Sequence, residues 1–364
     1  MDRRSFIKTA GAGSVIVLAG CAATPTDDGG TTRAPRATIE GTPSGTLTVA
    51  TYSSFTGEGT AGNYLKSAFE SAYPSVTVEF TVPNSGVNKY IQAKQSNSPI
   101  DADLYVGLNT DDLVRADRKL DTSLFMHSRE YLDRKDAIKS DLEIDPRGRA
   151  IPYDTGYISL VYDESEVTQP QTFDDLLDSE YEGDLLAQDA RFSDPGLAFL
   201  LWTIDAKGED GYLDYWSALA DNNVRIFDDW EPAYNAYSNE EAPIVVSYST
   251  DQVYAHRFGS DMARHQVGFL NDQGYENPET MARFSDTNSP ALARLFMDFA
   301  LQPEQQEEIA KLNVQFPAVT DAALSDELAQ YAYEPPESVT FTYDDLEGSV
   351  DTWTEDWARE VVGN

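Results

Sequence analysis

One cysteine, Cys21, occurs in 364 residues, so no disulfide can form within the chain. Histidine is nearly as scarce. His127, His256 and His265 form no ligand-spaced cluster, and without cysteine partners a zinc site is not expected. Basic side chains are few: nine lysines and seventeen arginines face 63 acids, for a net charge of −37. Such a surface repels phosphate backbones and anionic lipid, which argues against nucleic-acid binding. The acids are spread over the whole chain, as on a salt-adapted (halophilic) surface. The G-x-S-x-G elbow, the G-x-x-x-x-G-K-[ST] loop and the H-E-x-x-H zinc motif are all missing. With so many acids a glycosidase pair can arise by proximity, but no pattern points to one. No catalytic residue, metal or cofactor is expected, and the chain reads as non-enzymatic. Internal repeats are also missing, which argues against a surface-layer or adhesion array.

Residues 1–21 read as a targeting segment outside the fold. Arg3-Arg4 followed by Ser5, Phe6, Ile7 and Lys8 resembles a twin-arginine (Tat) export signal. The apolar run 10–18 is too short to span a bilayer. Leu18-Ala19-Gly20-Cys21 resembles a lipoprotein cleavage box, in which Cys21 becomes the lipidated first residue. Residues 22–45 hold almost no large apolar side chain and are expected to be a disordered tether. The expected localisation is export, with the body held by lipid at the outer face of the cytoplasmic membrane.

The length gives a prior of two domains, and 41% hydrophobic residues are enough for sizeable cores. Strands are expected at 46–52, 76–82 and 102–108, with helices at 63–73 and 87–94 between them. This β-α-β-α-β order argues an α/β body with a largely parallel sheet. Residues 151–164 form a β-branched and aromatic stretch that reads as a strand crossing from one lobe to another. Asp154 and Gly156 interrupt it, and a glycine there suggests a bulge or a close approach. Further strands are expected at 183–188, 224–227 and 243–248. Helices are expected at 172–177, 197–202, 212–219, 232–237, 290–300, 303–312 and 354–361, and residues 268–284 return the chain to the first lobe. The resulting division is 46–154 with 266–300 as lobe 1, 155–265 as lobe 2, and 301–364 as a C-terminal helical segment.

Ligands of such sheets bind at the carboxyl ends of strands. That position singles out Tyr52, Ser53, Ser85, Gly86 and Asn109. Ser193 or Asp194, followed by Pro195, is a helix-start signal whose free N–H groups can hold an anion. Aromatics and hydroxyls also fall at strand ends: Tyr52, Tyr157, Trp230, Tyr248 and Tyr254. Such rings can stack on a planar ligand and hold a cation against their faces.

With these segments in view, the chain resembles the substrate-binding component of bacterial thiamine ABC importers, two-lobed binding proteins related to those for iron and polyamines. The resemblance is carried by Thr51-Tyr52-Ser53-Ser54-Phe55, by Val106-Gly107-Leu108-Asn109, and by Pro152 to Tyr157 with Val161-Tyr162-Asp163. It continues in Gln188 to Arg191, Ser193 to Gly196, Trp230 with Ala233-Tyr234, and Ser247 to Thr250 with Tyr254. It implies an α/β, periplasmic-binding-protein-like fold of two mixed sheets joined by crossing strands, with the ligand cleft between lobes. It implies that Tyr52 and Tyr254 stack on an aminopyrimidine, and that Ser85 and Gly86 match a contact turn. It further implies that Ser193 and Asp194 match a phosphate-binding helix start, and that Trp230, Tyr248, Ser249, Thr250 and Asp251 line the opposite wall. Asn109 and Asp154 complete the expected binding set. Partners are thiamine or its phosphates, the ABC permease subunits, and the membrane through Cys21; a monomer is expected. Three positions depart from the family pattern: Ser85 replaces an acid, Asp194 a hydroxyl residue, and Val314 an aromatic. A carboxylate at Asp194 repels phosphate, so free thiamine is expected to be preferred. The rival ligands for the same fold are polyamine and ferric iron, and the rival class is an exported hydrolase.

Overall fold

The computed structural model describes residues 41–363. The expected export segment, Cys21 and residues 22–40 of the expected tether lie outside the described residues.

Three parallel strands open the body: β1 (Gly45–Ala50), β2 (Val76–Thr81) and β3 (Leu104–Leu108), in the order β2-β1-β3. Helices α1 (Ala61–Ala72) and α2 (Asn88–Gln95) connect them. Helix α1 starts where the Thr60 side chain accepts from the Asn63 N–H, and it buries Leu65 and Phe69 at i, i+4 spacing. After β3 comes a helix the sequence reading did not anticipate, α3 (Thr110–Lys119). Asp111 and Asp112 in its first turn and Arg118 and Lys119 in its last oppose the helix dipole favourably.

The crossing strand, β4 (Ala150–Tyr162), is buried at every position. Beyond it lie β5 (Leu185–Gln188), β6 (Arg225–Phe227) and β7 (Ile244–Tyr248), with β5 parallel to both neighbours. The helices here are α4 (Asp194–Lys207), α5 (Tyr212–Asp221), α6 (Trp230–Ser238) and α7 (Asp251–Phe258). The short helix expected over 172–177 is a single 3-10 turn, Asp175–Leu177. Then come β8 (Gln266–Gly268) and β9 (Gln273–Arg283), the expected return. Helices α8 (Pro290–Ala300) and α9 (Pro303–Asn313) follow, both with proline in the first turn. The chain ends with β10 (Phe316–Pro317), α10 (Asp326–Tyr331), β11 (Glu337–Val339), α11 (Tyr343–Leu346) and α12 (Val350–Trp357). The terminal helix begins earlier than the expected 354, and a π turn, Ala358–Val362, extends it.

Hydrogen bonding runs without a break through β2-β1-β3-β9-β4-β7-β5-β6. The two parallel halves are joined by the long antiparallel pair β9–β4. The lower part of β4 pairs only β9 and β10, whereas its upper part also pairs β7 and β8. The crossing strands expected to join two mixed sheets are therefore these two, and they fuse the halves into one ladder. A bulge at Tyr153 sets both Tyr153 and Asp154 against Glu279. Two large cores flank the sheet, and one of them runs through both halves, from Tyr90 and Tyr105 beside β3 to α4 and α5. Leu65, Phe69, Phe296 and Phe299 pack on the β1 half. On the other side Phe199, Trp202, Trp216 and Trp357 pack edge to face between α4, α5 and α12.

Candidate functional site

A cavity of about 820 Å³ lies where the halves meet. Its walls come from both: Tyr52 follows β1, Glu279 sits on β9, and Asn313, Val314 and Gln315 end α9. The opposite wall holds Trp230 and Tyr234 of α6, Tyr248 at the end of β7, and Asp251, Tyr254 and Phe258 of α7. Strand ends and helix starts converge here, as expected for ligands of open α/β sheets.

Tyr52 is fixed from two sides. Its ring lies against Gly107, where an added Cβ would stand 2.4 Å from Cδ1 of Tyr52. Gly107 also has φ +88°, and the β3–β9 register shifts there. The Tyr52 hydroxyl donates to Oε2 of Glu279 at 3.0 Å and lies 3.1 Å from the Tyr153 hydroxyl. Tyr153 donates to that same oxygen. Burial, reinforced by the nearby carboxylates Glu279 and Asp154, pushes both phenols well above their usual range.

The aromatic wall is ordered by polar contacts behind it. Asp229 caps α6 by accepting from the Trp230 N–H at 2.7 Å. The Trp230 indole donates to Oγ of Ser247 at 3.0 Å, and its ring stacks on Tyr234 with centroids 4.8 Å apart. Tyr248 meets Trp230 edge on, 6.5 Å between centroids. Asp251 lines the cavity but is engaged at both oxygens, by the Tyr234 hydroxyl and by Nδ1 of His265 at 2.6 Å. It therefore orients two neighbours as well as facing the space. Tyr254, 42% exposed, stands at the rim, its ring parallel to that of Phe258.

Asp154 lies just behind this surface, fully buried. Its Oδ2 accepts from Nδ2 of Asn313 at 2.7 Å, and its Oδ1 has no hydrogen-bond partner. Burial and the facing Glu279 charge push its carboxyl well up, and burial also raises Glu279.

Six of the sequence-predicted residues thus share one cavity: Tyr52, Trp230, Tyr248, Thr250, Asp251 and Tyr254. The others stand elsewhere. Ser249 is fully buried behind the wall, and its carbonyl accepts from the Tyr333 N–H. Asn109 and Asp194 line a separate small cavity of about 20 Å³ with Asp111 and Tyr275. Asp194 is exposed by area, yet the surrounding protein, then the charges of Asp111 and Glu279, push its carboxyl up, opposed by a hydrogen bond from Asn109. Ser193 holds the N-cap position of α4 without a side-chain cap bond, its buried Oγ unpartnered. Ser85 and Gly86 sit in an exposed turn outside the large cavity; a Cβ on Gly86 would meet the Tyr105 hydroxyl at 3.5 Å.

Glu279, Tyr153, Tyr234, Asn313 and Gln315 were not found from the sequence. Gln315 left one signal. Its side chain crosses Gly156, where an added Cβ would be 2.2 Å from Oε1, so the close approach is by a side chain. Val314, which lines the cavity, takes a left-handed conformation with φ 56°, strained for a β-branched residue. Among the described residues no helix is long and apolar enough to cross a membrane, and no group of three or more His, Cys, Asp or Glu could hold a metal ion.

Comparison with known proteins bears on this site. The chain is 28% identical to the thiamine-binding periplasmic protein of Escherichia coli K12 over 322 residues, 86% of this chain and 93% of that one. It is 26% identical to the thiamine-binding periplasmic protein of Haemophilus influenzae Rd over 275 residues, 75% of this chain and 80% of that one. Among solved structures, a periplasmic thiamin binding protein superposes with a TM-score of 0.73 at 26% identity, over 88% of this chain and 99% of that one. The ferric binding protein of Campylobacter jejuni superposes at 0.70 with 16% identity, which shows the shared fold alone. Residues 121–336 match the model of the bacterial extracellular solute-binding proteins, and this chain belongs to that family.

Proposed function

We propose that this protein is the extracytoplasmic receptor of an ABC importer and that its solute is thiamine. One observation carries the reading: Tyr52, Trp230, Tyr248 and Tyr254 line one cavity with the carboxylate of Glu279, and no ion pair engages Glu279 among the described residues. Flat rings and an uncompensated carboxylate suit a planar cation such as an aminopyrimidine linked to a thiazolium. The names of the thiamine-binding relatives agree with this chemistry. Tyr52 and Glu279 stand on one half, and Trp230 and Tyr254 on the other, so the solute completes contacts that only a closed arrangement of two lobes offers. Cys21, lipidated, would tie the receptor to the membrane beside its permease.

Free thiamine is preferred over thiamine phosphate. Asp194 and Asp111 hold the ground where a phosphate would approach the start of α4, with Arg115 pairing Asp111 at 3.2 Å. Native mass spectrometry of the purified protein, followed by calorimetry with thiamine and thiamine phosphate, tests both statements. A carried-over ligand of another mass, or tighter binding of the phosphate, overturns the matching one.

A second reading has one observation in its favour. The Tyr52 and Tyr153 hydroxyls lie 3.1 Å apart beside Glu279, a two-phenol cluster of the kind that takes ferric ion. Tyr153 is buried and Tyr52 half-buried, both next to carboxylates, which opposes the tyrosinate form that iron needs. A visible charge-transfer band on adding ferric citrate would favour iron.

A further inference from the structure

Resting on the reading of the large cavity as the solute site, we infer that Glu279, backed by the buried carboxyl of Asp154, is the seat for the solute's positive charge, and that seating it displaces one proton from the pair to solvent. The two residues oppose each other across the β4–β9 ladder. The bulge at Tyr153 makes that possible, because it turns two consecutive residues of β4 toward one residue of β9.

The bonding of the pair is incomplete in a directional way. Both phenols donate to Oε2 of Glu279, and no bond to its Oε1 is found among the described residues. Asp154 is fully buried, yet its Oδ1 has no partner. Gln315, which lines the same cavity, also has a buried Oε1 without a partner. Asp154 Oδ1 and Gln315 Oε1 are thus two buried acceptors without a partner, and they call for a donor that the described residues do not supply. The groups facing the pair are Tyr52 after β1, Tyr153 on β4, Asn313 at the end of α9 and Tyr248 at the end of β7, with Asp194 of α4 at longer range. None of these is a cation.

A fully buried carboxyl and a half-buried one that oppose each other across the ladder, with no cation beside them, do not both ionise without a counter-charge. In the solute-free protein the pair therefore shares one proton and carries one negative charge. When a monocation enters, the second carboxyl ionises and its proton leaves. The pair then carries two negative charges against one positive, so the site keeps one net negative charge, the cation taken up balancing the proton released.

Calorimetry of the purified protein with thiamine at pH 7, in buffers of differing ionisation enthalpy, reads the protons released per site. The wild type should release about one. Glu279→Gln and Asp154→Asn should each release much less and bind at least ~10-fold more weakly. Circular dichroism confirms that each variant is folded, and either variant alone suffices. Unchanged affinity in a folded variant, with no proton released by the wild type, overturns the inference while thiamine binding itself stands. If thiamine does not bind, the solute assignment fails, and benzamidinium against neutral benzamide decides the inference. Preference for the cation that vanishes in Glu279→Gln supports it; equal binding of the two, or binding of neither, overturns it.

Discussion

Replacing Gly107 with alanine should damage both stability and solute binding, although residue 107 does not line the large cavity. The added methyl would lie 2.4 and 2.5 Å from Cδ1 and Cε1 of Tyr52, far inside contact distance. The backbone there has φ +88°, a conformation that costs a residue with a Cβ about 1–2 kcal/mol. If the Tyr52 ring stays, overpacking adds about 1–3 kcal/mol, for a total loss of about 2–5 kcal/mol. If the ring swings away, the steric part is relieved, but the Tyr52 hydrogen bond to Glu279 is lost, which costs about 1 kcal/mol or more because the acceptor is charged. The ring then no longer faces the solute. The two measurements are therefore complementary: urea unfolding reads the first outcome, and thiamine calorimetry the second. Tyr52→Ala serves as a control for affinity without the backbone strain. A Gly107→Ala protein within about 0.5 kcal/mol of wild type, and within about twofold in affinity, would refute the placement of Tyr52 against β3.

Trp230→Ala should weaken thiamine binding about tenfold or more by calorimetry, since a desolvated ring over a cation contributes about 2 kcal/mol. Asp194→Ser should raise the affinity for thiamine phosphate relative to thiamine by about tenfold in the same assay; an unchanged ratio would show that this carboxylate does not govern phosphate discrimination. Arg149 is buried between Asp145 and Asp117, so Arg149→Met should cost about 3–5 kcal/mol in urea unfolding, because it strands buried carboxylates. Burial acts to raise the Asp145 carboxyl, but bonds and charge from Arg149, with the Arg147 N–H, outweigh it and hold the group low. That stabilisation is present above the unfolded value near ~3.9 and is lost as pH falls through the lower folded value, so acid unfolding should steepen below about pH 4 in wild type more than in Asp145→Asn.

Much of the fold was legible because its signals are local. Alternation marked β1, and Pro290 and Pro303 opened the stretches that form α8 and α9. The run from Ile151 onward gave away β4, since only a strand covered on both faces stays apolar so long. Helix α3 was missed because its apolar residues are few and its acids and bases dominate the pattern. Helix α7 is short, and its start, without a side-chain cap, reads as loop. Of the site, the aromatic wall was legible from rings at strand ends. Glu279 was not, because an acid in a return strand looks like any of the 63 acids until β4 lies beside it. Asn109 and Asp194 were grouped with the aromatics on their strand-end and helix-start positions, yet they face a different space. Position along a strand says which end a residue occupies, not which side of the neighbouring chain it meets.

The distribution of indole rings equips this protein with an internal light source. Of its five tryptophans, Trp202, Trp216, Trp353 and Trp357 are buried in the α4–α5–α12 core, and Trp230 alone among them borders the cavity. The direct effect of a bound solute on emission should therefore fall on one residue, against the background of four. Binding can be followed without a label, and a Trp230→Phe protein should load its solute in the dark.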